Sequence, residues 1–145
     1  MKPVVTWIVL ANARTARIVQ NKGPGKGVIP TKEPVLQAPD PVEFSDDSGV
    51  FQNSADHSHL AGDRTDPKRL SETAFARMIL ERLTEASVQG DFDRLVLVAG
   101  PHMLGTLRAE MPEGLRDVVT SEVDRDLTNM TLDDLPKQLG EFMAV

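Results

Sequence analysis

The chain has 145 residues, with 16 lysines and arginines against 22 aspartates and glutamates, a formal net charge of −6 and no cysteine. That length suits a single domain, residues 1–145, built on one hydrophobic core. Without cysteine there is no disulfide, no disulfide-linked partner, no thiolate nucleophile and no Cys-ligated zinc, and the composition fits a reducing compartment. The charge is uneven. Residues 1–32 hold six cations and no acid, which leaves ten bases against 22 acids, or −12, in the remainder. Such asymmetry either marks a basic docking surface or neutralises acidic neighbours within the fold.

The apolar run Val4 to Ala11 is far shorter than the roughly 20 residues of a membrane span. β-Branched residues dominate it and no small-residue cleavage motif precedes Arg14 and Arg17, so it reads as a strand rather than a signal peptide, and the protein is expected in the cytoplasm. Ala16 to Asn21 reads as a second strand, and Asn12-Ala13-Arg14-Thr15 joins the two as a β-hairpin. Residues 23–66 are rich in Gly and Pro, with short apolar islands at Val28-Ile29 and Val35-Leu36 that offer a further strand. Residues 37–65 are expected to form a long surface loop.

Asp66-Pro67 starts a helix, with Asp as N-cap and Pro at the first helical position. Phe75, Met78, Ile79, Arg82, Leu83 and Ala86 fall on one face of it, and Gly90 ends it. The continuous apolar run Arg94 to Ala99 is a buried strand that meets Gly100-Pro101 and passes into a helix ending near Met111. A turn follows at Pro112 to Gly114, then a strand marked by Val118, Val119, Ser121 and Val123, then a final helix over Asp133 to Phe142 with Pro136 in its first turn. This order predicts a single α/β domain whose mixed β-sheet is opened by a β-hairpin and flanked by helices.

Trp7 to Ala13 with Ala16-Arg17-Ile18, then Asp93 to Pro101, Leu104-Gly105, Leu107-Arg108, and Glu122-Val123 with Asp126-Leu127-Thr128 resemble the bacterial host attachment proteins, required for attachment to host cells. The resemblance spans nearly the whole chain. That family is in turn similar to the middle domain of archaeal and eukaryotic peptide-chain release factors and their bacterial relatives, which implies an RNase H-like fold. Where the release factors carry a Gly-Gly-Gln loop before a long helix, this chain has His59 to Asp66 without that glutamine or paired glycines. The resemblance therefore implies a binding role, in attachment or at the ribosome, without peptide release.

Local patterns suggest further chemistry. His57 and His59, two apart in a polar stretch, offer weak metal ligands with Asp56 or Asp63. A two-metal hydrolase would want a carboxylate on the first strand; Val4 to Asn21 has none, and Asp124 and Asp126 read better as residues that cap a strand end. Gly23 to Gly27 lacks the order and the following helix of a phosphate loop and reads as a turn. Gly100 and His102, at the start of a helix, are the better anion candidates. Ser71, Thr73 and Ser121 have no adjacent His and Asp to make a triad, and the apolar stripe from Phe75 to Leu83 reads as core.

The expectation is a non-enzymatic, cofactor-free binding or regulatory protein with an unidentified protein partner. The alternative is a ribosome- or RNA-associated module contacting phosphate through Arg14, Arg17, Lys22 and Lys26, the cations of the acid-free segment; a metal-dependent hydrolase is the remaining alternative. With no tyrosine and one tryptophan, Trp7, inside a strand, base stacking would add little to such contacts.

Overall fold

The computed structural model describes residues 3–39 and 67–145. Strands β1 (Thr6–Ala11) and β2 (Thr15–Asn21) form the opening hairpin, antiparallel and in a register that pairs Ile8 with Val19 and Ala11 with Ala16. Asn12 makes the turn. Its Oδ1 accepts the backbone N–H groups of Arg14 at 2.8 Å and Thr15 at 2.9 Å, an Asx arrangement that needs no glycine. Both apolar islands become two-residue strands, β3 (Ile29–Pro30) and β4 (Leu36–Gln37), each antiparallel to β2. Gln37 thus belongs to the sheet and not to the expected loop. Residues 40–65 of that loop, with His57 and His59, lie outside the described residues.

The rest of the chain follows as α1 (Pro67–Val88), β5 (Arg94–Ala99), α2 (Pro101–Glu110), α3 (Glu113–Arg116), β6 (Val119–Asp124) and α4 (Leu135–Leu139). The sheet order is β3-β2-β1-β5-β6, with β4 also on β2; β5 runs parallel to β1, and β6 parallel to β5. The exposed ends of the sheet are blunted by very short strands on one side and by polar alternation along β6 on the other, which discourages edge pairing.

Because strand side chains alternate between faces, β1 and β5 feed two cores. Trp7, Val9, Ala11, Leu95, Leu97 and Ala99 meet Phe75, Ile79 and Leu83 of α1 and Leu104 and Leu107 of α2. Ile8, Leu10, Val96 and Val98 face the other way, onto Leu127 and onto Leu135 and Leu139 of α4. All of β1 except Thr6 is at most 2% exposed, and β5 from Leu95 onward at most 1%, which is why both read as unbroken apolar runs.

The helix ends have local causes. Pro101 occupies the first position of α2, where its missing N–H would have had no intrahelical partner. At the end of α1 the Gly90 N–H donates to the Ser87 carbonyl at 3.0 Å and the Asp91 N–H to the Ala86 carbonyl at 3.0 Å. That pairing requires a left-handed residue, and Gly90 has φ +77°.

Three details differ from expectation. Arg82 stands outside the apolar stripe of α1; it is exposed and pairs with Glu33 and Glu85. Pro112 to Gly114 is not a simple turn but leads into the one-turn α3, whose Leu115 is buried. The last helix covers only Leu135–Leu139, because one turn already buries Leu135 and Leu139 and Gly140 is a poor residue with which to continue. Pro136 does sit in its first turn.

Phe75 is fully enclosed, so Phe75→Ala is expected to destabilise the fold by about 3–5 kcal/mol through lost burial and a residual cavity. Urea denaturation followed by Trp7 fluorescence measures it; a change near zero would place the ring at the surface.

Candidate functional site

With β1, β5 and β6 parallel, their carboxyl ends lie together, and the helices that return the chain bring the N-termini of α1 and α2 to that same end. This is where α/β sheets present ligand sites. Among the described residues it is built from the Asn12 turn, the start of α1, Gly100-Pro101-His102 and the segment after β6.

The polar side chains at the centre of this end are committed to one another. The Asn12 Nδ2 donates to the Thr128 hydroxyl at 3.0 Å, and that hydroxyl donates onward to Asp126 Oδ1 at 2.6 Å. The Thr128 N–H adds a second bond to Asp126 Oδ1 at 3.1 Å. The Thr128 hydroxyl holds the Asp126 carboxyl below its ordinary range; partial burial opposes this, and the Thr128 N–H and the Asn12 amide reinforce it. Arg17 reaches across from β2 and donates to the Thr128 carbonyl at 3.2 Å and the Met130 carbonyl at 2.6 Å. Asp126 therefore caps the turn after β6, and Asn12 and Arg17 tie that turn to the opening hairpin. Among the described residues no group of three or more His, Asp or Glu is placed to hold a metal ion.

The cations named from the sequence do not form one patch. Arg14 is exposed at the Asn12 turn, whereas Lys22 and Lys26 are exposed beyond the other end of β2, roughly 25 Å away at the rise of an extended strand. Lys22 and Lys26 belong to a glycine turn. The Asn21 side chain accepts the Gly23 N–H at 3.0 Å and donates to the Gly27 carbonyl at 2.8 Å, closing a loop in which Gly23, Gly25 and Gly27 all have positive φ.

Arg14 instead adjoins Lys68, Ser71 and Glu72 of α1 in a depression of about 300 Å³. Glu72 also borders a second, more open groove of about 490 Å³ between α1 and α2, lined by Arg69, Thr73, His102, Gly105 and Glu110 among others. Gly100 caps α2 with extended backbone, φ −65° and ψ 167°, and no side-chain bond; His102 follows it, exposed. The surface at this end thus gathers Arg14, Lys68, Arg69 and His102 around Glu72. Lys68 and Arg69 were legible in one respect: two cations in a first helical turn that contains no acid oppose the helix dipole.

Because Asp126 has a lowered pKa in the folded state, its hydrogen bonds stabilise fully above the unfolded value near 3.9, and that contribution is lost as pH falls from there through the folded value. Asp126 is solvent-exposed, so the effect is screened. Asp126→Asn should cost about 1 kcal/mol at neutral pH, and the gap to the parent should narrow at pH 3. Urea melts at the two pH values decide it; a pH-independent gap would sever the cap from the carboxylate's charge.

No described helix is long and apolar enough to cross a membrane. The chain is 32% identical over 87 residues to an uncharacterized protein of Rickettsia prowazekii (strain Madrid E); the match covers 58% of this chain and 57% of that relative. Residues 7–139, from the second residue of β1 to the last of α4, match the family model described as a protein required for attachment to host cells. That span takes in both cores and the whole sheet carboxyl end, and the chain belongs to this family.

Proposed function

We propose that this protein serves attachment to host cells as a non-enzymatic binding protein of the cytoplasm, holding an acidic surface of a protein partner at the sheet's carboxyl end. The carrying observation is the span of the family match, residues 7–139, which attaches the family's role to the entire domain. Binding in place of catalysis is supported by Asn12, Arg17, Asp126 and Thr128, whose polar groups hold each other and the backbone. An acidic partner surface is supported by Arg14, Lys68 and Arg69, which outnumber Glu72 and Glu110 in the lining of the two depressions. A cytoplasmic site is supported by the absence of cysteine, which fits a reducing compartment.

The test is affinity capture with the full chain from native extract of the bacterium, alongside an adherence assay of a strain lacking the gene. Capture of a protein, lost when Arg14, Lys68 and Arg69 are all changed to Gln, and adherence restored by the parent but not by that variant, are the expected results. Adherence equal to the parent strain's without the gene would overturn the proposal.

A second reading, an RNA- or ribosome-bound module of RNase H-like fold related to the release factors, is favoured by one observation: Arg14, Lys68 and Arg69 gather where the 22-residue α1 begins, and cations at a helix N-terminus suit a phosphate. The segment His59 to Asp66, where the release factors' catalytic loop would fall, lies outside the described residues. Under this reading RNA affinity falls with salt by a log–log slope of about −0.7 per phosphate neutralised. It also drops for the Arg14, Lys68 and Arg69 variant but not when Lys22 and Lys26 are replaced. Neither reading includes peptide release, so peptidyl-tRNA on ribosomes should remain intact in its presence; release above a no-protein control would contradict both.

A further inference from the structure

The opposite end of the sheet carries a second polar site. On the α4 face, successive rows across the strands are apolar where Ile8, Val19 and Val96, then Leu10, Val98 and Val123, are covered by α4 and the segments around it. The next row, toward the amino ends of β1 and β5, is polar: Asn21 pairs with Thr6, and Thr6 with Arg94. The ladder between β5 and β6 breaks here, since Leu95 pairs with Val119 but Val96 with Ser121, leaving Thr120 as an extra residue. Such a bulge bends the strand and re-aims its side chains, and bulges concentrate beside binding sites.

This row borders a cavity of about 240 Å³. Its lining is polar at Thr6, Arg94, Thr120 and Ser121 and apolar at Val4, Val96, Phe142 and Met143. Phe142 is held by the Arg125 guanidinium, 5.4 Å from its ring centroid, and Arg125 in turn pairs with Glu141. Asn21 also lines the cavity, but its amide is spent on the glycine turn. Arg94 is the one charged side chain in the lining, and among the described residues neither it nor the hydroxyls of Thr6 and Ser121 have a hydrogen-bond partner. Thr6 is nevertheless only 6% exposed. The Thr6 and Ser121 hydroxyls border open space in which they can donate to a ligand, and a guanidinium presents a planar fork suited to a carboxylate or phosphate.

We propose that this cavity binds a small organic oxyanion, a phosphate monoester or carboxylate with a compact apolar body. Arg94 pairs with the oxyanion, the hydroxyls of Thr6 and Ser121 donate to it, and the body packs against Val96, Phe142 and Met143. The volume, somewhat below that of drug-sized pockets, limits the ligand to about a single ring or short chain. The site lies at the far end of the sheet from the partner surface, so it stands or falls independently of that reading.

Phenyl phosphate, benzoate and phenol, titrated separately into the full chain and followed by amide chemical shifts, provide the test. Saturable shifts confined to residues around Thr6, Arg94 and Ser121 are expected with one or both oxyanions and not with phenol, and phenyl phosphate against benzoate tells which headgroup the site takes. Arg94 is exposed, so Arg94→Gln should fold normally and weaken binding at least about tenfold, the loss of one charge-assisted pair. Ser121→Ala should weaken it by a smaller factor. The proposal fails if neither oxyanion shifts these amides at about 10 mM, well above the dissociation constant of a built small-molecule site, if phenol binds equally, or if Arg94→Gln binds as the parent does.

Discussion

Everything in this molecule hangs on the burial of β1 and β5 from both sides. Ile8 to Ala11 and Leu95 to Ala99 lose essentially all contact with water, and no strand can do that alone: Trp7, Val9, Leu95 and Leu97 need α1 and α2, and Ile8, Leu10, Val96 and Val98 need α4 and the chain around it. At about 25 cal/mol per Å² of apolar surface withdrawn from water, this sandwich is the dominant favourable contribution to folding. The parallel pairing of β1 with β5 follows from the same demand, because a parallel neighbour requires a crossover and α1 is the crossover that covers the first face.

Among the described residues, that constraint gathers polar side chains at the two ends of the sheet. At the carboxyl end, the turn after β6 has to be fastened to the hairpin, and Asn12, Thr128, Asp126 and Arg17 do so through a short chain of hydrogen bonds. Asn12 serves twice, shaping its own turn with Oδ1 and reaching Thr128 with Nδ2. The surface outside these side chains is charged and open. At the amino end, Thr6, Arg94 and Ser121 border a cavity that Val96, Phe142 and Met143 also line.

The charge asymmetry of the sequence acquires a different meaning in three dimensions. The first 32 residues carry six cations, yet Arg17 is drawn inward onto two carbonyls, Lys32 pairs with Asp91 at 3.0 Å, and Lys22 and Lys26 project at the end remote from Arg14. The basic surface that does form draws Lys68 and Arg69 from another part of the chain. Cations therefore gather on this composite surface and not on the N-terminal segment as such.

The sequence by itself determined the elements and their order: the hairpin, the long helix opened at Pro67 and closed at Gly90, the buried run from Leu95 to Ala99 and the Gly100-Pro101 junction. These signals are local, set by side-chain periodicity and by the backbone limits of glycine and proline, and both are written in neighbouring residues. It placed Trp7 and Phe75 in the core for the same reason. It overextended the last helix, where the stripe of Leu135 and Leu139 needs only one turn, and it put Arg82 on the buried face, because a long cationic side chain at a boundary position turns outward to reach Glu33. Only the tertiary structure decided which polar residues meet. Asn12 and Thr128 are 116 positions apart, Arg17 and Met130 113, and the row Asn21, Thr6, Arg94 joins three strands. Such pairings carry no signal along the chain: they follow from sheet order and register, which are fixed by how both faces of β1 and β5 are buried at once.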